Sequence, residues 1–147
     1  MSRRKLRIHF FKMVFMLAFT EDEKEQNEKV ELYLKDPEPD DEDETEEAMA
    51  EEEQFYLSCR MDKLKKLLPE IDKTLNEASR GWKTSRMSKV DLAILRVGVY
   101  ELVHDEAIPE GVAINEAVEL AKIYGDKDSA SFVNGILGSV ARKTEKS

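Results

Sequence analysis

The chain has 147 residues, 41% of them hydrophobic, which is enough to bury one core without disulfides or metals. Its 23 Lys and Arg against 32 Asp and Glu give a net charge of −9, a balance that on its face argues against nucleic acid. Yet twelve of the acids, and no Lys or Arg, fall between Asp36 and Gln54, so the rest of the chain holds 23 basic and 20 acidic residues and the charge excludes nothing.

The opening residues Arg3, Arg4, Lys5 and Arg7 precede an apolar run from Phe10 to Phe19. Lys12 interrupts that run and no small-x-small cleavage pattern follows, which argues against a secretory signal, and the run is too short to span a bilayer. The spacing predicts a helix with Leu6, Phe10, Met13, Val14 and Leu17 on the core. Ile8, Phe11, Phe15 and Phe19 lie on a second face that needs a partner, either another helix of the domain or a protein interface. Positive charge opposes the macrodipole at a helix N-terminus, so the basic cluster suits an external anion; an ordinary solvated terminus is the plain alternative.

Glu21 to Leu34 reads as a short peripheral helix anchored by Val30, Leu32 and Leu34, with Tyr33 beside them. Pro37 and Pro39 stop regular structure, and residues 36–54 form an acidic insertion or linker whose core, Asp40 to Glu47, buries too little to order itself. The helical pattern resumes near Ala48 and runs to about Ser79, with Phe55, Cys59, Leu64, Leu67, Leu68, Ile71 and Leu75 buried. Pro69 is expected to break or bend it. Arg80 to Ser88 is a loop, with Trp82 expected as a hydrophobic plug beneath it rather than a stacking platform.

Ser88, with Asp91 three residues on, marks a helix start at Lys89. Val90, Ile94, Val97 and Val99 on one face, with Leu92, Leu95 and Leu102 on another, place this helix at the centre of the domain. Gly98 within it implies close approach of a neighbouring backbone. Pro109 and Gly111 end the helix, and Ala113, Ile114, Ala117, Val118, Leu120, Ala121 and Tyr124 form the next, closed by Gly125 as a C′ residue. After N-cap candidates Asp128 and Ser129, the residues Phe132, Val133, Ile136, Leu137 and Val140 give a third apolar face. The reading is an all-α single domain over 1–147, a compact antiparallel bundle of about seven helices with no strand and a frayed tail at 141–147.

The single Cys59 cannot form an internal disulfide, His9 and His104 are too few for a usual zinc site, and a reducing cytosol fits. No glycine-rich phosphate loop or Ser-His-Asp arrangement appears, so the expectation is no enzyme, no metal and no cofactor. Glu101, Asn115, Glu116, Glu119 and Asn134 read as cross-helix hydrogen-bond partners or exposed edge residues rather than catalytic carboxylates and amides. Single-stranded RNA is the favoured ligand, with arginines on phosphates and Phe132 as the ring for an unstacked base. N–H groups at Ser129 to Ser131 could meet a phosphate, and core packing of Phe132 stays open.

The words Ile94-Leu95-Arg96, Tyr100-Glu101-Leu102, Val112-Ala113-Ile114-Asn115-Glu116-Ala117-Val118-Glu119-Leu120-Ala121-Lys122 and Phe132-Val133-Asn134-Gly135-Ile136-Leu137, in this order, resemble the NusB family of transcription antitermination factors. Trp82 and the basic opening resemble it too; the likeness fails between about Lys35 and Gln54. The resemblance implies a NusB-like bundle that binds boxA-like single-stranded RNA together with the ribosomal protein NusE, within an RNA polymerase antitermination complex acting on ribosomal RNA. Arg3, Arg4, Lys5 and Arg7 then match the family's RNA-binding segment. Asp128 and Phe132, with Lys127 beside them, match positions flanking the boxA site, and Phe15 and Asp91 match an aromatic and an acidic residue facing NusE. Asp91 also has a cap role, and Ile8 stands where many relatives carry a charged residue. A cytoplasmic monomer or weak homodimer with no membrane partner is expected. The alternatives are a basic amphipathic helix on a membrane surface and a stand-alone rRNA-binding accessory domain of the kind attached to rRNA cytosine methyltransferases.

Overall fold

The structure, a computed structural model, describes residues 1–38 and 48–144. Residues 39–47, with Pro39 and most of the carboxylate run, lie outside the described residues, as do 145–147 of the tail. Among the described residues there are six α-helices and no strand: α1 (Arg3–Met16), α2 (Glu23–Lys35), α3 (Glu51–Ala78), α4 (Lys89–Val99), α5 (Glu110–Tyr124) and α6 (Ser129–Thr144). Short 3-10 turns at Leu17–Phe19 and Thr84–Arg86 and a π turn at Tyr100–His104 join them. The residues fall into two compact units, Met1–Lys65 and Lys66–Ser147.

In the first unit, the Ser2 hydroxyl caps α1 by accepting the Lys5 N–H at 3.1 Å. Phe10, Phe11, Met13, Val14 and Leu17 are buried, each large side chain stabilising the fold by about 1.5–3 kcal/mol. His9 is buried among them, its Nδ1 2.7 Å from the Tyr33 hydroxyl on α2. Asp22 caps α2 through the Lys24 N–H at 3.0 Å, and Glu23 and Glu25 in the first turn suit the helix dipole. Val30 and Leu34 anchor α2, whereas Leu32, expected as a third anchor, is 68% exposed because it sits roughly 200° around the helix from either one. The helix stops at Lys35, ahead of Pro37.

Glu51, Glu52 and Glu53 open α3, where their charge favours the helix N-terminus, and the Glu53 carboxylate accepts the Ala50 N–H at 3.0 Å. The buried stripe of α3 is Leu57, Met61, Leu64, Ile71, Leu75 and Ala78. Phe55 is not in it and is 72% exposed, correcting the expected core position. A face drawn through Phe55 and Cys59 continues into Asp62, Lys63 and Lys66, which stay in water; Cys59 itself is half-buried, as are Leu67 and Leu68. Nor does Pro69 break the helix, which is continuous through it. The ring is exposed, so the carbonyl one turn back can take its hydrogen bond from water, and the flanking Leu64 and Ile71 hold the segment helical.

In the second unit the expected start of α4 is present, with the Ser88 hydroxyl accepting the Asp91 N–H at 3.1 Å. Leu92 through Leu95 and Val97 through Val99 are all buried, and α4, α5 and α6 pack pairwise on one another. A Cβ on Gly98 would lie 2.7 Å from Leu137 Cδ1, so the close neighbour is a side chain of α6 and not the expected backbone. Arg96 donates through Nε and Nη2 to both oxygens of Asp72 at 3.0 and 2.9 Å, tying α4 to the second half of α3. The π turn that follows α4 carries the buried Tyr100 and Glu101. At the other end of the unit, α6 continues to Thr144, with Ala141 buried and the Lys143 ammonium donating to the Glu77 carbonyl at 2.9 Å. The apolar stripe and this bond both hold the last turn of α6 against the rest of the unit.

Candidate nucleic-acid interface

The first unit contributes the N-terminal turns of α1. Arg3 and Arg4 are exposed, Lys5 and Arg7 half-buried, and the first turn contains no acid. Their charge adds to the positive end of the helix dipole instead of cancelling it. Two acids from the ends of the insertion also reach this helix and the residues before it. Glu38 pairs with Lys12 at 3.4 Å, and Glu53 accepts from the Met1 ammonium at 2.6 Å. The ammonium bond first, and the Ala50 N–H second, hold the Glu53 carboxyl below the usual glutamate range. Along α1, Phe11, Phe15 and Phe19 form an aromatic row with centroids 6.4 and 5.0 Å apart, buried at Phe11, half-buried at Phe15 and open at Phe19.

The second unit contributes the start of α6 and the loop after α3. Asp126 builds the entry to α6. Its carboxylate accepts the Asp128 N–H at 2.8 Å, its carbonyl accepts the Ser129 N–H at 3.2 Å, and its own N–H donates to the Ser129 hydroxyl at 3.0 Å. The Ser129 N–H is thus engaged, contrary to the expectation that it stands open to a phosphate. Ser129 packs so close that a Cβ at Gly125 would strike its side chain and come within 2.7 Å of the Ala121 carbonyl. Gly125 does close α5, but with extended backbone, and this close approach is why the position takes glycine. Lys127 and Asp128 are exposed, and the Asp128 carbonyl accepts the Phe132 N–H at 3.1 Å.

Phe132 is half-buried and meets Trp82 edge to face, with centroids 6.1 Å apart and planes at 74°. Trp82 is 57% exposed, which overturns its reading as a plug. The turn after α3 explains why. Arg80 (φ 48°) and Gly81 (φ 104°) both take left-handed backbone and swing the chain outward. The buried Ser79 then fixes the turn by donating its hydroxyl to the Trp82 carbonyl and accepting the Trp82 N–H at 3.3 Å on its own carbonyl. At the start of α4, Asp91 is half-buried, and its Oδ1 is buried with no hydrogen-bond partner among the described residues. Among the described residues no group of three or more His, Cys, Asp or Glu side chains could hold a metal ion, and no helix is long and apolar enough to cross a membrane.

The family model described as the NusB family matches residues 4–142. The chain belongs to the NusB family. The transcription antitermination protein NusB of Lachnoclostridium phytofermentans is 46% identical over 140 residues, covering 95% of this chain and 98% of that protein. Among solved structures, T. maritima NusB aligns with a TM-score of 0.78 at 30% identity, covering 99% of this chain and 94% of that one. The NusB of a complex of antitermination factors NusB and NusE with dsRNA has the same fold, with a TM-score of 0.73 at 21% identity over 97% of this chain and 99% of that one.

On this NusB scaffold, α1 gathers Arg3, Arg4, Lys5 and Arg7 into its first two turns, and the second unit gathers Lys127, Asp128 and Phe132 at the entry to α6. Phe15 lies in the first unit and Asp91 in the second. Reading the sequence missed Trp82 as an exposed ring. A signal was available: between Arg80 and Lys89 the loop carries four basic residues and no acid, an environment in which a wholly buried indole would be out of place.

Proposed function

We propose that this NusB-family chain binds boxA-like single-stranded RNA together with NusE and acts in the antitermination of ribosomal RNA transcription, as a cytoplasmic binding factor and not an enzyme, a monomer or weak homodimer. The observation that carries the proposal is the start of α1. Four basic side chains gather in the first two turns of a helix whose own first turn holds no acid, a charge set suited to a run of phosphates. The family provides the context in which that anion is RNA. Arg3, Arg4, Lys5 and Arg7 take phosphates; Lys127, Asp128 and Phe132 meet a phosphate, a base edge and a base face. Toward NusE, Phe15 offers a half-buried ring beside the exposed Phe19, and Asp91 offers a half-buried carboxylate at the start of α4. The RNA polymerase complex would form around this pair.

The test is binding of a boxA-like strand and a scrambled strand, each with and without NusE, across a range of salt. The boxA strand should bind more tightly, and more so with NusE. Replacing Arg3, Arg4, Lys5 and Arg7 by Gln should flatten the dependence of log K on log salt by roughly 3, at about 0.7 per single-strand phosphate contact. An unchanged slope would remove the α1 cluster from the interface. Binding to anionic vesicles in the absence of any RNA binding would favour the membrane-surface reading instead.

A further inference from the structure

We propose that the loop from Arg80 to Lys89 is a second RNA-binding element, in which Trp82 stacks on an unstacked base next to Phe132 and Arg80, Lys83 and Arg86 hold the adjoining phosphates. The proposal rests on the reading that the chain binds single-stranded RNA and adds residues that the reading does not use. Three independent features support it.

The first is the ring itself. Trp82 is the one tryptophan of the chain, it is 57% exposed, and its contact with Phe132 is edge to face. In that geometry at least one face of the indole is left uncovered by the phenyl ring, which is the surface a base needs. The second is charge. Arg80, Lys83, Arg86 and Lys89 fall within ten positions that hold no acid, and Arg80, Lys83 and Arg86 are all exposed. A purely apolar partner would gain nothing from these cations, whereas a polyanion whose units carry flat rings uses both.

The third is preorganisation. Besides the Ser79 bonds, the Thr84 N–H donates to Asn76 Oδ1 at 2.9 Å, the Arg86 N–H to the Lys83 carbonyl at 2.8 Å, and Met87 is buried beneath the loop's end. Little ordering entropy is then left to lose on binding. Arg80 holds left-handed backbone that glycine would adopt at lower cost, consistent with a residue kept for its side chain.

The single tryptophan makes the test direct. The full chain, alone and with NusE, is titrated with a fluorescein-labelled boxA-like single strand while anisotropy and indole emission are followed together. Stacking requires emission to be quenched along the same isotherm as the anisotropy. Trp82→Leu should weaken binding by about 5- to 150-fold, the range of one base–aromatic stack, while Trp82→Tyr keeps most of the affinity. The two variants should melt like the wild type, since the ring is exposed. Lys83→Gln and Arg86→Gln should each lower the salt slope by roughly 0.7. Wild-type protein that binds no RNA under either condition defeats the proposed function and this inference with it. Wild-type protein that binds RNA with unchanged indole emission, and with Trp82→Leu equal to wild type, overturns the loop assignment alone. So does a Trp82→Leu variant that loses NusE and not RNA, which would give the loop to a protein.

Discussion

Gly98→Ala tests the packing at the centre of the second unit. The added methyl would lie 2.7, 3.1 and 3.4 Å from Leu137 Cδ1, Cδ2 and Cγ, against the 3.5–4.0 Å at which carbon contacts are favourable. Leu137 must therefore yield by about 1 Å. It is wholly buried, on a helix whose Val133, Ile136 and Val140 are buried as well, so there is little room into which it can turn. Replacing glycine within a helix returns about 1 kcal/mol of propensity, while overpacking a core costs about 1–3 kcal/mol. The contact at 2.7 Å places this site in the upper part of that range, and a net destabilisation of about 1–2 kcal/mol is expected. For a chain of this size it appears as a fall in Tm of about 2–8 °C, and in urea as a lower midpoint with an unchanged m-value. Leu137→Ala alone should cost about 2–5 kcal/mol. Combined with Gly98→Ala it should cost less than the sum, because the methyl then fills part of the cavity. A Gly98→Ala protein at least as stable as wild type, or strict additivity in the double variant, would refute the reasoning.

Asp72→Asn removes the charge from a bidentate, partly screened pair with Arg96 and should cost about 1–2 kcal/mol in urea unfolding; Arg96→Lys should not preserve the pair's contribution, since an ammonium lacks the matching fork. Phe15→Ala with Asp91→Ala should weaken NusE binding at least tenfold by calorimetry while direct RNA binding persists, and full NusE affinity in a folded double variant would reject both positions. Glu53 has a lowered pKa in the fold, so its contribution to stability is present above the unfolded value and disappears as pH falls through the folded one. The Tm difference between wild type and Glu53→Gln should therefore be full at neutral pH and vanish in acid, and a difference independent of pH would contradict the pairing with the Met1 ammonium.

The helices were legible because their apolar residues recur at helical spacing and their ends carry explicit signals, as at Ser88 before α4 and Pro37 after α2. What failed was phase and direction. Phe55 and Leu57 are equally apolar, and only the charges further along α3 decide which begins the buried stripe. Leu32 looked like an anchor because apolar residues cluster around it, though its angle on α2 turns it to water. At the candidate interface the basic residues of α1 and the start of α6 could be read directly. The outward turn of Trp82 could not, because it depends on left-handed backbone at Arg80, a non-glycine residue for which the sequence gives no warning.

Proline within a continuous helix leaves a mark of its own. Residue 69 has no amide hydrogen, so the ladder of α3 lacks one rung while apolar anchors grip it on either side. Such a gap is where a long helix opens first, because separating its two halves there breaks one bond fewer than anywhere else. Amide exchange along α3 should accordingly follow two cooperative segments instead of one, with the amides just after Pro69 exchanging faster than their burial alone would suggest.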